Sequence, residues 1–414
     1  MRELVALEGP PGPGWIEELS RCWDAGDAVL PVDHRLPSAA VSVLYDTMRP
    51  SIVAEVGGAR RANPDGRAAE PGDALVVATS GTTGTPRGVI LTHDAVKAAA
   101  RATSNAIGVD PASDTWLCCL PLGHAGGLGV LTRAVITGTP VLVHPGFDAT
   151  AVTAAARALA EDGRDVLVSL VATTLRRVDP GLFRVVLLGG DAPPRWEDGQ
   201  PTQIIVTYGM TETGGGCVYD GRPLDGMQVR LDDDGQIWLR GPMLGRAYRG
   251  RHADHPLADA DGWFATGDSG RRVADAHAPV DAGTRVDVGT GVDAGAHLVA
   301  GTRLAVDGRL AEVIVTGGEK VWPAPTEAVL AAVPGVAEVA VVGRPDPVWG
   351  ARVVAVVVPT HPDRPPNLNA LRAAVADRLG PWAAPKQLEL VTSLPRTALG
   401  KVRRSELRPP AAPH

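Results

Sequence analysis

Apolar runs of strand length alternate with alanine-rich amphipathic segments between residues 74 and 210. The first helix is expected to begin after Thr92, which has the side chain of an N-cap. Such alternation is typical of β-α units stacked around a largely parallel sheet, so the sequence predicts an α/β fold. The segments that read as strands are "ALVVA", "TWLCCLPL", "TPVLVH", "VVLLGGDAPP" and "QIIVTYGMTET", and those that read as helices are "HDAVKAAARATSNAIG", "GGLGVLTRAVITG" and "DATAVTAAARALAEDG".

The 414 residues exceed what one hydrophobic core usually supports. A second β-α series begins near Arg309, at "LAEVIVTGGEKVWP", and continues to the C-terminus. We therefore expect a large N-terminal domain at 1–308 and a small α+β C-terminal domain at 309–414. Residues 280–309 repeat every six positions, as "VDAGTR VDVGTG VDAGAH LVAGTR LAVDGR". Hexad repeats can build a parallel β-helix, but an elongated hairpin or a flexible insertion is the simpler interpretation.

Charge and cysteine content narrow the class of partner. A balance of 40 Lys and Arg against 47 Asp and Glu gives a formal net charge of −7, which offers no general attraction to nucleic acid or to an anionic membrane. The four cysteines form no CxxC and no Cys/His cluster, so neither a zinc site nor a disulfide framework is predicted. With no long apolar run, the chain is expected to be cytoplasmic and to bind a small metabolite, without membrane insertion. A homodimer is left open.

Polar loops follow three of the predicted strands. The first, "ATSGTTGTPRGVILTH", is rich in hydroxyls and glycines, and glycine lets backbone N–H groups approach an oxyanion closely. Because open α/β sheets bind ligands at the carboxyl ends of their strands, the three loops are expected to converge on one ligand, with phosphate as the leading candidate. The loop lacks the GxxxxGK[ST] pattern of a Walker A sequence, and no GxGxxG follows an early strand.

Five segments, in the same order along the chain, resemble those of the adenylate-forming superfamily of acyl-CoA synthetases, peptide-synthetase adenylation domains and luciferases. The resemblance spans nearly the whole chain. It implies activation of a carboxylate by ATP and Mg²⁺, transfer of the acyl group to a thiol such as that of CoA, and a mobile C-terminal domain that swings between these steps. The segments are "TSGTTGTPRG" for phosphate, "YGMTET" for adenine and magnesium, "GWFATGD" for ribose, "GRLAEVIVTGGEKVWP" for the hinge and "PRTALGKVRR" for a catalytic lysine.

Side-chain chemistry agrees with the roles that this resemblance implies at the nucleotide. Tyr208 offers a ring for adenine, Thr211 a hydroxyl for the α-phosphate and Glu212 a hard oxygen ligand for Mg²⁺. Asp268 is expected to accept both ribose hydroxyls, with Arg309 close to the ribose or phosphate. Outside their motifs, such residues would more often be a core aromatic, a turn or solvated charges. The full set expected at ATP comprises Thr79, Ser80, Gly81, Thr82, Thr83, Gly84, Gly189, Gly190, Asp191, Tyr208, Gly209, Asp268 and Arg309.

The C-terminal domain carries three further matched positions. Lys401 occupies the place of the catalytic lysine, although a lysine near a basic C-terminus is ordinarily a solvated charge. Gly317 and Gly318 in "VTGGEK" would border a narrow tunnel for the pantetheine of CoA, although an ordinary hairpin turn has the same composition. The family commonly has Asp or Lys two positions after Arg309, whereas this chain has Ala311 at the hinge.

His124 and Arg133 bear on the acyl substrate. His124 in "PLGHAGG" lies where the family usually places an aromatic residue or a histidine near the substrate carboxylate, and Arg133 follows nine positions later. In a short chain, this pattern is most similar to the o-succinylbenzoate-CoA ligases of menaquinone biosynthesis, in which a basic residue there suits a second carboxylate. A structural hydrogen-bonding role for His124 and a solvent-facing helical position for Arg133 are the alternatives.

The expected function is thus an AMP-forming acid-CoA ligase for o-succinylbenzoate. His124, Thr211, Glu212 and Lys401 form its implied catalytic set, and His124 and Arg133 its acyl-binding set. A ligase for another aryl or medium-chain acid, with CoA or a carrier-protein thiol, is the closest competing function. A non-catalytic nucleotide-binding homologue is a third, which retention of Glu212, Asp268 and Lys401 argues against.

Overall fold

The structure, a computed structural model, describes residues 2–79, 86–190, 200–275, 296–298, 301–396 and 402–407. The strands in these ranges, in chain order, are β1 (Leu4–Glu8), β2 (Ala28–Pro31), β3 (Ile52–Glu55), β4 (Arg60–Ala62), β5 (Asp73–Thr79), β6 (Arg87–Thr92), β7 (Asp114–Cys118), β8 (Val141–Val143), β9 (Asp165–Val171), β10 (Val185–Gly189), β11 (Ile204–Met210), β12 (Gly215–Tyr219), β13 (Arg222–Pro223), β14 (Gln228–Leu231), β15 (Gln236–Arg240), β16 (Ala247–Arg249), β17 (His255–Pro256), β18 (Phe264–Ala274), β19 (Ala296–His297), β20 (Thr302–Arg309), β21 (Ile314–Thr316), β22 (Glu319–Val321), β23 (Val336–Asp346), β24 (Gly350–Pro359) and β25 (Gln387–Leu390).

The helices pack on these strands and connect them. They are α1 (Pro13–Ala25), α2 (Ser38–Met48), α3 (His93–Ala106), α4 (Ala125–Thr137), α5 (Ala149–Glu161), α6 (Ala172–Leu175), α7 (Pro323–Leu330) and α8 (Leu368–Leu379), with short 3₁₀ turns at Pro180–Leu182, Thr211–Thr213, Leu310–Glu312 and Arg404–Leu407. None of the described helices is long and apolar enough to cross a bilayer.

Two large sheets, each with a parallel centre, form the N-terminal part. One has the order β17-β16-β6-β5-β2-β1-β3-β4 and the other β13-β12-β11-β10-β9-β7-β8. Strands β5, β2, β1 and β3 are parallel neighbours, as are β11, β10, β9, β7 and β8, while antiparallel strands extend the edges. The α/β expectation is confirmed, with two mixed sheets where the sequence pattern suggested one.

The two sheets share a core in which α1, α3 and α4 are embedded. Trp15, Val77, Trp116, Leu131 and Leu187 belong to one buried cluster that draws on both sheets and on these helices. Their apolar faces meet because each sheet and helix must bury one side against another element. The expected start of α3 is confirmed by an N-cap bond that stabilises its first turn.

That N-cap bond runs from the backbone N–H of Ala95 to Oγ1 of Thr92, over 3.1 Å. The segment before it differs from the sequence expectation, because Arg87–Thr92 forms strand β6, antiparallel to β5. The polar loop at 80–85 therefore joins the two arms of a hairpin. Its two ends are held side by side at the carboxyl end of β5.

A third, antiparallel sheet has the order β19-β14-β15-β18-β20. The end of the six-residue repeat forms β20, which pairs with β18 from Asp268 opposite Arg309 to Ala274 opposite Thr302. In the described part, the repeat is thus an antiparallel strand, as an elongated hairpin requires and unlike a coil of a parallel β-helix. Residues 276–295 and 299–300 of this region lie outside the described part.

The C-terminal sheet has the order β22-β21-β24-β23, with β25 parallel to β24. It has a core of its own, in which Val341, Val353 and Val357 pack against Leu371 and Val375 of α8. The apolar run "VVAVVV" is part of the central strand β24, buried on both faces. The domain boundary expected near Arg309 lies at the end of β20, before the first strand of this C-terminal sheet.

Candidate active site

Tyr208, Asp268 and Arg309, three of the residues expected at ATP, form one hydrogen-bonded group. The hydroxyl of Tyr208 on β11 donates to Oδ2 of Asp268 over 2.9 Å, and Nε of Arg309 lies 2.8 Å from Oδ1. The pairing of β18 with β20 sets Asp268 directly opposite Arg309. Burial, and then the charge of Asp268, raise the pKa of Tyr208, so the phenol stays protonated and able to donate. The Asp268 carboxylate is thereby held between Tyr208 and Arg309.

Glu212 lies on the 3₁₀ turn that follows β11, next to Thr211. Its Oε1 accepts a hydrogen bond of 2.8 Å from the hydroxyl of Tyr248 on β16, and its carbonyl accepts one from the N–H of Gly245. Burial and the nearby Glu212 raise the pKa of Tyr248, which therefore remains a donor. These bonds fix the carboxylate and leave Oε2 for a cation.

The donor set at Glu212 fits a magnesium ion that also binds substrate phosphate. No group of three or more His, Cys, Asp or Glu side chains able to hold a metal occurs in the described part of the chain. Mg²⁺ is commonly bound through one or two carboxylates, with phosphate oxygens and water completing its octahedron. Glu212 as a single carboxylate, with substrate phosphate and water as the other ligands, would satisfy that pattern.

The phosphate loop is bracketed by Thr79 and Arg87. Oγ1 of Thr79 donates to the carbonyl of Arg87 over 3.3 Å, and the guanidinium of Arg87 lies 5.7 Å from the centre of the Tyr248 ring. Arg87, at one end of this segment, therefore lies beside the Tyr248–Glu212 pair. Its expected ligands Ser80, Gly81, Thr82, Thr83 and Gly84 lie outside the described residues.

The glycines at the ends of β10 and β11 allow close packing. A Cβ on Gly189 would lie 2.9 Å from Oγ1 of Thr207, and Gly190 has φ +96°, a conformation that favours glycine. A Cβ on Gly209 would lie 2.0 Å from the carbonyl oxygen of Gly215, so Gly209 allows the β-bulge against β12. Asp191, the remaining residue expected beside the base, lies outside the described part.

His124 is the N-cap residue of α4. Its Nε2 lies 3.3 Å from Oδ2 of Asp33, a buried residue that follows β2 in the other large sheet. Asp33 also accepts from Nε of Arg35 over 2.8 Å. Burial alone would raise the pKa of Asp33, but hydrogen bonds from Arg35 and then His124 hold it well below its usual range. The imidazole thus has an ionised carboxylate beside it.

Arg133 points into the interior, so its solvent-facing alternative is wrong. The residue is 7% exposed, its Nη2 donates to Oγ of Ser169 over 3.2 Å, and its guanidinium lies 4.7 Å from the centre of the Trp116 ring. Burial lowers the pKa of Arg133. Its Nε has no hydrogen-bond partner in the described structure. No carboxylate is among these contacts, so among the described residues this buried cation has no counter-ion.

Helix α4 brings Arg133 next to the turn that carries Glu212. A Cβ on Gly129 would lie 3.5 Å from Nη1 of Arg133 and 3.5 Å from the carbonyl of Gly214, which ends that turn. Gly129 is therefore the point at which α4 meets the turn. Arg133 of the acyl-site candidates and the magnesium candidate Glu212 therefore lie on adjacent elements.

The C-terminal candidates lie on a different sheet. Gly317 and Gly318, with φ +59° and +88°, form the turn between β21 and β22, and the N–H of Gly317 donates to the carbonyl of Trp349 over 2.9 Å. A Cβ on Gly317 would lie 2.6 Å from the Trp349 ring, so only glycine fits there. Lys401 lies outside the described residues.

Comparisons with known proteins identify the family to which the chain belongs. The family profile described as "AMP-binding enzyme" matches residues 51–249, and that described as "AMP-binding enzyme C-terminal domain" matches residues 326–401. The "Probable 2-succinylbenzoate–CoA ligase" of Mycobacterium tuberculosis is 40% identical over 349 residues, which cover 81% of this chain and 83% of that protein. This chain belongs to the AMP-binding enzyme family.

Two further proteins are similar to this AMP-binding enzyme over most of its length. The indoleacetate–CoA ligase of Aromatoleum aromaticum is 32% identical over 444 residues, covering 98% of this chain and 74% of that protein. The solved structure of o-succinylbenzoate CoA synthetase (MenE) from Bacillus subtilis in complex with the acyl-adenylate intermediate OSB-AMP aligns with a TM-score of 0.78 and 25% identity, covering 98% of this chain and 88% of that one.

Sequence reasoning missed several residues that hold the site of this AMP-binding enzyme together. Asp33, Tyr248 and Arg87 contact His124, Glu212 and Thr79 respectively, yet the sequence assigned none of these three a role. Arg87 alone carried a signal, because it lies inside the phosphate-loop motif. The other two reach the site through pairing between distant segments, which a local pattern does not reveal.

Proposed function

We propose that this AMP-binding enzyme is an ATP-dependent acid-CoA ligase that adenylates o-succinylbenzoate and transfers the acyl group to CoA, the reaction of menaquinone biosynthesis. In the first step, a carboxylate oxygen attacks the α-phosphorus of ATP and pyrophosphate leaves. In the second, the CoA thiolate attacks the acyl carbonyl and AMP leaves. The relative from Mycobacterium tuberculosis, whose name gives this activity, supports the proposal at 40% identity.

The buried guanidinium of Arg133 is the observation that best supports o-succinylbenzoate as the substrate. A buried cation is costly unless it is paired, and the described contacts of Arg133 are an aromatic face and a hydroxyl. Its Nε proton has no acceptor in the described structure. A second substrate carboxylate would supply both the missing charge and the missing acceptor. The position of α4 beside the Glu212 turn gives that carboxylate a place close to the reacting end.

At the nucleotide end of the site, we propose a separate role for each residue. Tyr208 would stack on adenine while its hydroxyl holds Asp268, and Asp268 would accept the ribose hydroxyls. Glu212, oriented by Tyr248, would hold Mg²⁺, which neutralises charge on the phosphate oxygens when bound. Hydroxyls and backbone N–H groups of Thr79–Gly84 would follow pyrophosphate as it leaves.

The C-terminal domain supplies the second half of the proposal. Its boundary is placed near Arg309, because β20 ends there and the next strand belongs to the separate C-terminal sheet. Lys401 would be presented for adenylation, and the Gly317–Gly318 turn, after rotation, for thioester formation. Acyl adenylates hydrolyse readily, so a domain that excludes water in one step and admits a thiol in the next is useful. A cytoplasmic location and a homodimer stay predictions.

The strongest alternative is that the substrate is a different aryl acid. The indoleacetate–CoA ligase relative, which aligns with 98% of this chain, acts by its name on an acid with one carboxylate. For such a substrate Arg133 would need no partner from the ligand, and its aromatic contact with Trp116 would be purely structural. A medium-chain acid, a carrier-protein thiol and a non-catalytic homologue are further alternatives.

Pyrophosphate release separates these functions. The purified chain is assayed with ATP and Mg²⁺ against o-succinylbenzoate, benzoate, indoleacetate and a medium-chain acid, each with and without CoA. The proposal predicts the highest kcat/KM for o-succinylbenzoate, with CoA-dependent formation of AMP and the thioester. Preference for a monocarboxylate would support the alternative ligase. If none of the acids in the panel causes pyrophosphate release, an acid ligase of either kind would be contradicted.

A further inference from the structure

Asp33 is a buried carboxylate at the acyl site that belongs to the opposite large sheet. It follows β2, whereas His124 follows β7, and the two side chains meet with Oδ2 of Asp33 3.3 Å from Nε2 of His124. The Asp33 side chain is 5% exposed and that of His124 is 33% exposed. The imidazole therefore has Nε2 against a buried anion, while part of the ring is exposed.

The two loops are packed too closely for this contact to be incidental. A Cβ on Gly123 would lie 3.0 Å from Cβ of Asp33 and 3.3 Å from its backbone nitrogen. The absence of a side chain at Gly123 lets the loop that carries His124 rest directly on the backbone of Asp33. Their relative position is thus set by backbone packing, and the carboxylate–imidazole distance follows from it.

The remaining contacts of Asp33 fix its own orientation. Oδ1 accepts from the backbone N–H of Arg35 over 3.0 Å and from its Nε over 2.8 Å. Nδ1 of His34 lies 3.9 Å from Oδ1, beyond hydrogen-bond distance. Oδ2 faces His124 with Arg35 as its other partner. A carboxylate held in this way presents one directed acceptor to the imidazole.

We propose that Asp33 is the positioning residue for His124, holding the neutral imidazole as the tautomer with its proton on Nε2 and leaving Nδ1 as an acceptor for the acyl site. This inference rests on the proposed function, in which His124 lies near the carboxylate that is activated. Asp33 touches neither substrate in this scheme; it acts through the orientation and tautomer of His124, as carboxylate partners do for other functional histidines.

Substitution of Asp33 should lower catalysis only while His124 is present. Asp33→Asn keeps the shape of the side chain but removes its charge and offers an N–H that clashes with the proposed tautomer. We expect kcat/KM for the acid to fall by about 10- to 100-fold, the range for loss of a hydrogen bond to a charged group, with KM for ATP unchanged. In a His124→Ala background the same change should alter kcat/KM by less than about 2-fold.

Asp114→Asn is the matched control. Asp114 is also a buried aspartate that binds an arginine, Nε of Arg184 lying 2.8 Å from its Oδ1, but it begins β7 at the end opposite His124. Asp114→Asn should lower stability about as much as Asp33→Asn does. Its effect on kcat/KM should be the same with and without His124. Equal effects of Asp33→Asn with and without His124 would overturn the proposal, because they would mark a structural role.

The ¹⁵N spectrum of histidine-labelled protein tests the tautomer independently of turnover. The resonance that disappears in His124→Ala identifies His124 among the 10 histidines. In the wild type, at a pH where the ring is neutral, a protonated Nε2 and an unprotonated Nδ1 are expected, and Asp33→Asn should shift the population. The reverse tautomer in the wild type would refute the proposal even if no Asp33 variant folds. Absence of any acid-dependent activity would instead count against the proposed function and leave this measurement valid.

Discussion

Replacement of Arg133 gives the sharpest test of the substrate. Arg133→Ala removes a buried guanidinium whose described partners are the Trp116 ring and the hydroxyl of Ser169. If the distal carboxylate of o-succinylbenzoate pairs with this cation, its loss leaves a desolvated carboxylate unpaired, at a cost of about 2 to 5 kcal/mol. At about 1.4 kcal/mol per tenfold, kcat/KM for the dicarboxylate should fall by roughly 30- to 4,000-fold.

The same substitution should spare an acid with one carboxylate. Such a substrate makes no use of the charge, so its kcat/KM should change little or rise as the unpaired cation disappears. The fold should survive, because removing a buried charge that lacks an ionic partner also removes its desolvation cost. Arg133→Lys is the matched control: it retains the charge but loses the planar fork, so an intermediate loss is expected for the dicarboxylate only.

The assay is kcat/KM from pyrophosphate release, for o-succinylbenzoate and a monocarboxylate analogue, with thermal unfolding recorded for each variant. His124→Ala provides a second comparison, because a residue near the reacting carboxylate should harm both substrates alike. An equal loss for both acids in Arg133→Ala, or an unchanged dicarboxylate, would refute the assignment of Arg133. The o-succinylbenzoate proposal would then lose its main structural support.

The other predictions concern the C-terminal lysine, the ribose group, the insert and the cysteines. Lys401→Ala should slow adenylation by at least ~10²-fold but spare thioester formation from supplied acyl adenylate, and equal loss in both half-reactions would contradict its role. Tyr208→Phe keeps the ring and loses the bond to Asp268, so KM for ATP should rise about 5-fold with kcat nearly constant, whereas a loss confined to kcat would be contrary. Replacing residues 280–295 with an Asn-Gly turn should leave activity nearly unchanged, since long surface loops are tolerated, and loss of folding would argue against a dispensable insert. All four cysteines are free and buried, with the pKa of Cys118, Cys119 and Cys217 raised to about 12, so a thiol reagent at pH 8 should label them only after unfolding; fast native labelling would contradict this burial.

The periodic part of the fold could be predicted from the sequence. Helix α3 begins at its predicted N-cap, and the polar turn at Thr211–Thr213 follows β11, because the pattern and the turn residues agree locally there. Strand β6 was missed, since "RGVILT" continues a loop motif and its pairing with β5 depends on a hairpin closing around residues 80–85. The antiparallel third sheet was missed as well, because β15 pairs with β18 and β18 pairs with β20 across long separations along the chain, which no local pattern reveals.

Some residues of the candidate site could be predicted from local motifs, and others could not because they come from distant segments. Residues such as Tyr208 and Glu212 lie in compact motifs, so the sequence could name them before any contact was known. Asp33 and Tyr248, which orient His124 and Glu212, come from other strands, and no spacing rule relates them. Arg133 was named, but its burial was undecided, because helical periodicity from an uncertain start cannot assign a face. The start of α4 at Ala125 and the contact with Trp116 decide it.

The hinge illustrates how such a distant contact can replace a missing local one. Ala311 provides no polar group where the family commonly has Asp or Lys, but the next residue, Glu312, accepts from Nη1 of Arg404 over 2.9 Å. The same guanidinium binds both carboxylate oxygens of Glu327 on α7, at 3.2 and 2.6 Å. Arg404 therefore ties the hinge turn to the C-terminal core, three residues beyond Lys401.

This ion group has a consequence for the rotation that the family resemblance implies. Burial raises the pKa of Glu327 even though Arg404 opposes the shift, so the pair is desolvated and loss of Arg404 would leave a buried carboxylate unpaired. Because Glu312, Glu327 and Arg404 are joined, the hinge turn, α7 and the segment after Lys401 would move as one body. The backbone dihedrals that change during rotation would then lie on the N-terminal side of Glu312, where Ala311 is exposed.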